Sequence, residues 1–237
     1  SHMSVKYKRV LLKLSGEAVS GGEKGIINFE FLSKIASVIK ACRDEGVQMA
    51  VMIGAGNIWR GRQGGNMNRC RADHMGMLAT MINCLALQQE LENQQVDAVT
   101  MTPVEMESFA DKYSARKAVS ALNAGKIVLL GCGSGSPFFS TDTAAVLRAA
   151  EINADVVLMA KNIDGIYSAD PKKDANAVKF DEITYKEILE NEIRAYDLTA
   201  TAFCMDNNIK TYAFELKDPM NIYRVIMGEK VGTETHN

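Results

Sequence analysis

The sequence predicts an α/β protein, a three-layer α/β/α sandwich with a mostly parallel central sheet. Short apolar runs, typical of strands buried on both faces, alternate along the chain with segments whose apolar residues recur every three or four positions. The chain has 237 residues, of which 47% are hydrophobic and 24% charged. These proportions suit a large packed core and exclude a disordered or fibrous chain. We expect a single domain over residues 5–237.

The elements can be placed in order along the chain. Apolar runs predict strands over residues 10–14, 47–53, 96–101, 126–130, 155–159 and 210–214. Asn28 is suited to cap a first helix that Gly46 ends, and Asp73 to cap a long second helix. Further helices are predicted over 113–124, from Thr141 or Asp142 to 152, and over 184–191, 197–207 and 219–227. The stretches 60–71 and 162–181 have no periodicity and are predicted as loops.

Three residue counts exclude whole classes of function. Ser1-His2-Met3 is interpreted as an expression-tag scar, and His236 lies beside the C-terminus, so His74 is the only interior histidine of three. A Ser-His-Asp hydrolase or a histidine-rich metal site is therefore excluded. The five cysteines form no C-x-x-C pair, which indicates free thiols in a reducing cytosol. The formal net charge of −2 argues against a nucleic-acid coat protein.

We expect a cytoplasmic protein that does not enter a membrane. No apolar run approaches the roughly 18 residues that a membrane-spanning helix requires, and no signal peptide is recognisable.

Glycine-rich loops follow three of the predicted strands, where parallel sheets bind their ligands. They begin at Ser15-Gly16, at Gly54 and at Gly131. Glycines in such loops let backbone N–H groups approach a phosphate, although tight turns also use glycine for purely structural reasons. The spacing matches neither the P-loop motif nor the dinucleotide-binding G-x-G-x-x-G. The loops favour a phosphate-binding protein that is neither a P-loop enzyme nor a Rossmann dehydrogenase.

Two cations stand beside these loops. Lys13 interrupts an apolar strand just before Ser15-Gly16, where its charge is costly to bury unless it meets an anion at the rim of the sheet. The alternative is an edge lysine whose ammonium reaches solvent. Arg60 belongs to a cluster with Arg62, Arg69 and Arg71, which is either a solvated loop or an oxyanion site.

Several other polar residues have both a structural and a functional interpretation. Asp73, Asp142 and Asp197 each stand at a predicted helix start, so each is either an N-cap or part of a site. Tyr167 is either a core aromatic residue or a platform for a flat ring, and Asp170 opens a stretch typical of a charged turn.

Six motifs, taken together, resemble the bacterial uridylate (UMP) kinases of the amino-acid kinase superfamily. They are YKRVLLKLSGEA (7–18), GNIWRG (56–61), DHMGMLAT (73–80), PFFSTD (137–142), DGIYSADP (164–171) and MGE (227–229). The resemblance implies the amino-acid kinase fold and transfer of the γ-phosphoryl group of Mg-ATP to UMP. It also implies a homohexamer with GTP and UTP as possible effectors, and no nucleic-acid partner.

The resemblance also implies roles for individual residues, and it assigns no protein ligand to a metal. The implied catalytic residues are Lys13, Arg60 and Asp197, the last orienting the lysine. The implied ATP-binding residues are Lys13, Leu14, Ser15, Gly16, Gly56, Arg60, Lys161, Asn162, Tyr167 and Asp170. The implied UMP-binding residues are Ala55, Asp73, Ser134, Gly135, Ser136, Pro137, Phe138, Phe139, Ser140 and Thr141.

The sequence departs from the family pattern in places and leaves alternatives open. Ala55 replaces a glycine, Ser134 and Ser136 stand where threonine and asparagine are usual, and the segment 23–27, linked to the GTP response, lacks its usual glycine before Ile27. One alternative is another superfamily member that phosphorylates a carboxylate, carbamate or isopentenyl phosphate. Another is a non-catalytic nucleotide-binding or storage protein.

Overall fold

One twisted sheet forms the centre of the molecule. The computed structural model describes residues 4–21, 25–61 and 65–237. Over these residues the sheet has nine strands in the order β4-β3-β5-β2-β1-β6-β8-β9-β7, and the pairing is parallel except between β8 and β9. The strands are β1 (Arg9–Leu14), β2 (Gln48–Ile53), β3 (Ala98–Thr102), β4 (Asp111–Lys112), β5 (Ile127–Leu130), β6 (Val156–Lys161), β7 (Glu182–Thr184), β8 (Thr211–Glu215) and β9 (Gly232–His236).

Helices cover both faces of this sheet, which confirms the predicted three-layer class. They are α1 (Gly16–Ser20), α2 (Phe29–Asp44), α3 (Arg69–Asn93), α4 (Ala115–Asn123), α5 (Thr141–Glu151), α6 (Tyr185–Glu190), α7 (Leu198–Asn207) and α8 (Met220–Ile226). Buried side chains of α2, α3 and α8 form one core, and those of α4, α5 and α7 form the other. Among the described residues, no helix combines the length and apolarity needed to cross a membrane.

All six predicted strands are present, each within two residues of its predicted ends. The sequence missed the edge strands β4 and β7, the strand β9 that lies between β8 and β7, and the short helix α1. β4 and β7 are only two and three residues long, which is too short to show a periodicity, and β9 consists mainly of polar residues.

Two predicted helix starts are wrong. Asn68 caps α3, because its side chain accepts hydrogen bonds from the N–H groups of Cys70 and Arg71, so Asp73 lies inside the helix. The end of the predicted loop 60–71 is therefore helical. Ser140, rather than Thr141 or Asp142, caps α5 by accepting the N–H of Thr143 at 3.1 Å. The carboxylates of Asp73 and Asp142 therefore cap no helix and are available for other contacts.

Candidate active site

Three of the cavities that the described residues form, labelled A, B and C, open near the carboxyl ends of the central strands. Cavity A, about 500 Å³, lies between the start of α3, the loop after β5 and the start of α5. Cavity B, about 520 Å³, is lined by the loop after β6 and by residues 192–195. Cavity C, about 440 Å³, lies between α1 and the ends of β6 and β8. Lys161 lines both B and C, so these two cavities meet at its side chain.

The predicted nucleotide residues divide between these cavities. Eight of the ten predicted UMP-binding residues line cavity A, while Gly135 and Pro137 connect them along the loop. Tyr167 and Asp170 line cavity B, and Ser15 and Asn162 line cavity C. The side chain of Leu14 is fully buried in the core under α2, and its carbonyl accepts the N–H of Gly54 at 2.9 Å.

Lys13 is paired with Asp142 at the rim of the sheet. Alternation along β1 places Leu11 and Lys13 on the face that α5 covers. The Lys13 Nζ lies 3.2 Å from Asp142 Oδ1, and both side chains are less than one-fifth exposed, at 17% and 19%. The predicted cation is therefore an ammonium held by a carboxylate beside Thr141, which lines cavity A.

A second lysine belongs to the same cluster. Lys161 ends β6, the strand beside β1, and its Nζ donates to the carbonyl of Ala195 at 3.2 Å. Burial lowers the pKa of Lys161, and the charge of Lys13 lowers it further, whereas Asp142 raises it. Two cations and one carboxylate thus share the space between cavity A and the cavities that Lys161 lines.

The resemblance implies that Asp197 orients Lys13, but in the structure the Asp197 carboxylate has other partners. Asp197 caps α7, as one of its two interpretations predicted, by accepting the N–H of Ala200 at 2.7 Å. Its carboxylate also accepts the hydroxyl of Ser140 and that of Thr143, the latter at 3.2 Å. It therefore ties α7 to the start of α5, and among the described residues the ion pair of Lys13 is made with Asp142 instead.

The first two glycine loops approach each other more closely than side chains allow. A Cβ added at Gly16 would lie 2.3 Å from the backbone N of Gly56 and 2.7 Å from that of Asn57. Arg60 forms an ion pair with Glu17, and its Nε donates to the carbonyl of Gly56 at 3.4 Å. Arg60 is thereby held across both loops, and Glu17 is a member of this cluster that sequence reasoning missed.

Asp73 holds the loop after β5 from the other side of cavity A. Its carboxylate accepts the N–H of Phe138 at 2.8 Å and lies 3.6 Å from the Nε of Arg69. The Arg69 guanidinium lies 5.0 Å from the centre of the Phe138 ring. Phe138 has a φ of 75°, which is uncommon for a residue with a side chain.

Cavity B has an aromatic wall. Tyr167 is half-buried, and its hydroxyl donates to Asp164 at 2.7 Å, which is the main reason that its pKa is raised. Asp170 accepts the N–H of Lys172 at 2.9 Å within a turn. Of the two interpretations of Tyr167, the structure favours a ring at a cavity wall over a core residue.

Parts of the predicted site lie outside the described residues. These are Arg62 of the arginine cluster, Glu23 and Lys24 of the segment 23–27, and the scar at residues 1–3. Of the remaining cluster, Arg69 and Arg71 belong to the first turn of α3.

The variant Asp142→Asn removes the charge of this side chain and keeps its shape. Asp142→Asn removes the carboxylate that faces both lysines, so kcat should fall by about tenfold. Because the same carboxylate raises the pKa of Lys161, its loss should move the alkaline limb of the kcat–pH profile to lower pH. Asp44→Asn, which breaks an exposed pair with Arg43, is the control that should change neither. An unmoved alkaline limb would contradict the role of Asp142.

The fold and the glycine loops define a class of phosphate-binding α/β/α proteins. Comparison with known proteins identifies the family within this class. The chain belongs to the amino acid kinase family, whose model matches residues 8–214. Among solved structures it is similar to the UMP kinase from Bacillus anthracis, with a TM-score of 0.94 and 35% identity over 97% of this chain and 96% of that chain.

Two further structures show the same likeness. The UMP kinase from Ureaplasma parvum has a TM-score of 0.93 and 31% identity over 98% of this chain and 100% of that one. The uridylate kinase from Archaeoglobus fulgidus has a TM-score of 0.72 and 27% identity over 95% and 99% of the two chains. These likenesses confirm the resemblance that the six motifs predicted.

Proposed function

We propose that this chain is a UMP kinase, which transfers the γ-phosphoryl group of ATP to UMP and releases UDP and ADP. UMP would occupy cavity A, and ATP would extend from Lys13 and the first glycine loop across cavities B and C. The observation that carries this proposal is the cluster of Lys13, Asp142 and Lys161, in which Asp142 follows a residue that lines cavity A and Lys161 lines cavities B and C. The likeness to UMP kinases over nearly the whole chain supports the same substrates.

The chemistry requires positioning and charge neutralisation more than proton transfer. The UMP phosphate has a second pKa of about 6, so near neutral pH it is largely dianionic and attacks without a general base. This agrees with the scarcity of histidine. Lys13 and Arg60 would neutralise charge that develops on the transferred group, and Asp142 would hold Lys13 in place.

Mg²⁺ would enter with ATP. Asp142 and Asp197 place carboxylate oxygens, which Mg²⁺ prefers, beside the proposed transfer site, although each of the two carboxylates already has a partner. The ATP phosphates would hold most of the coordination of this ion, and these two carboxylates would hold it beside the transfer site. The bound ion would neutralise the β- and γ-phosphate oxygens during transfer.

An assay of ADP release with a panel of acceptors tests the function. We expect ADP release with UMP, much less with CMP or dTMP, and none with acetylglutamate. Phosphorylation of acetylglutamate alone would replace the proposal with a carboxylate kinase. Release with none of the four, in a chain that still binds ATP, would favour a non-catalytic nucleotide-binding protein.

We also propose that residues 5–237 act as one domain and assemble as a cytoplasmic homohexamer. Three exposed apolar side chains, Leu78, Ile82 and Leu85, recur at helical spacing along the outer face of α3, which supports association with another copy.

The five cysteines are free thiols, as expected in a reducing compartment. Light scattering should give a mass of six chains, and a monomer at micromolar concentration would contradict the assembly. Adding GTP or UTP to the assay of ADP release would test activation by GTP and inhibition by UTP.

A further inference from the structure

The loop between β5 and α5 has a strained backbone that needs support. Cys132 has a φ of 61° and Gly133 a φ of 53°, and the first of these is unfavourable for a residue that carries a side chain. The N–H of Cys132 donates to the hydroxyl of Thr80 at 2.8 Å, which holds the beginning of the loop. The next two residues, Gly133 and Ser134, line cavity A.

A buried arginine contacts this part of the loop. Arg148 lies in α5 with only 7% of its side chain exposed, and its Nη2 donates to the carbonyls of Gly133 at 3.3 Å and Ser134 at 3.4 Å. Its Nη1 donates to Glu151 at 2.8 Å. One planar guanidinium therefore connects two consecutive loop carbonyls to a carboxylate one turn along the same helix.

Tyr113 completes this network from the opposite side. The Arg148 guanidinium lies 4.2 Å from the centre of the Tyr113 ring, and the Tyr113 hydroxyl donates to Glu151 at 2.8 Å. Burial, together with Glu151, raises the pKa of Tyr113, so this hydroxyl stays a donor throughout the physiological range. The N–H of Tyr113 donates to the carbonyl of Thr102 at 2.9 Å, which anchors the network to the end of β3.

We propose that Arg148, held by Glu151 and Tyr113, is a positioning residue that sets the backbone of loop 131–136 for UMP. The C=O and N–H of one trans peptide point in opposite directions, so a Gly133 carbonyl held by Arg148 turns the N–H of Ser134 away from the guanidinium. The orientation of this N–H is thereby fixed before the nucleotide arrives. The inference rests on the proposed function, in which cavity A holds UMP.

The variant Arg148→Met tests this role, since it keeps the length of the stem and removes the donors. We expect the KM for UMP to rise about tenfold, which corresponds to about 1.4 kcal/mol, while the KM for ATP changes by less than about twofold. Arg148→Lys, which keeps the charge but cannot span both carbonyls and Glu151, should raise the KM for UMP by about threefold. Arg43→Met, at an exposed ion pair of α2, is the matched control and should leave both KM values unchanged.

Amide hydrogen exchange without nucleotide separates this inference from the proposed function. Arg148→Met should speed exchange at residues 132–136 and leave residues 13–17 as in the unsubstituted chain. Unchanged exchange, an unchanged KM for UMP, or equal rises in both KM values would overturn the positioning role even if UMP is the substrate. If the unsubstituted chain does not phosphorylate UMP but the exchange difference appears, Arg148 positions the loop and the proposed function is wrong. If Arg148→Met does not fold, the same comparisons with Arg148→Lys decide between these results.

Discussion

Replacing Lys13 by alanine should lower kcat by about a thousandfold while the fold persists. Lys13 is the cation at the end of the central strand β1, and Asp142 holds its ammonium 3.2 Å away. A preorganised donor that meets charge developing in the transition state typically contributes a hundredfold to a thousandfold in rate, about 3 to 4 kcal/mol. Single-turnover phosphoryl transfer from ATP to UMP measures this loss directly.

The control for this variant is Lys34→Ala, which removes an exposed lysine of α2. It should leave kcat unchanged, and both variants should keep the far-ultraviolet circular dichroism of the parent chain. The affinity of the Lys13 variant for UMP should change little, since Lys13 is assigned to the ATP phosphates. A normal kcat in Lys13→Ala would remove this lysine from the mechanism.

Gly16→Ala should weaken productive ATP binding severely, because it separates two loops that lie in contact. The new Cβ would lie 2.3 Å from the backbone N of Gly56, a distance that requires the backbone to move. A displacement of about 1 Å at a phosphate site is enough to lower the rate by about a hundredfold. We expect kcat/KM for ATP to fall by at least that factor, with a loss of about 1–3 kcal/mol in the free energy of unfolding from overpacking.

Gly54→Ala provides a matched control in the same pair of loops. A Cβ at Gly54 would meet its nearest atom, the backbone N of Gly16, at 3.4 Å, which is ordinary contact. Its φ lies outside the left-handed region, so alanine fits the backbone as well as the space. Steady-state kinetics with ATP varied should therefore distinguish the two alanine variants. Equal losses in both would show that glycine flexibility, rather than close approach, matters at this site.

Much of the site was predictable because it depends on local sequence. Lys13 is conspicuous as a charge inside an apolar strand, and the glycine loops mark the ends of strands whose order along the chain sets the fold class. Asp142 was interpreted as either a helix cap or part of a site, and its contact with Lys13 could not be predicted because it joins residues 129 positions apart (142 minus 13). The sequence did not indicate that Arg148 is buried either, since a charged residue in an amphipathic helix is expected to face solvent.

The amino-acid sequence by itself determined the α/β/α class, six adjacent parallel strands of the sheet and the family, because buried parallel strands and glycine loops have local signatures. Only the tertiary structure decided which charged groups meet: Lys13 with Asp142, Arg60 with Glu17, and Asp73 with the backbone of Phe138. Those pairings depend on how each helix docks on the sheet and which residue takes the cap. Such packing is decided by the whole chain together, so no local pattern records it.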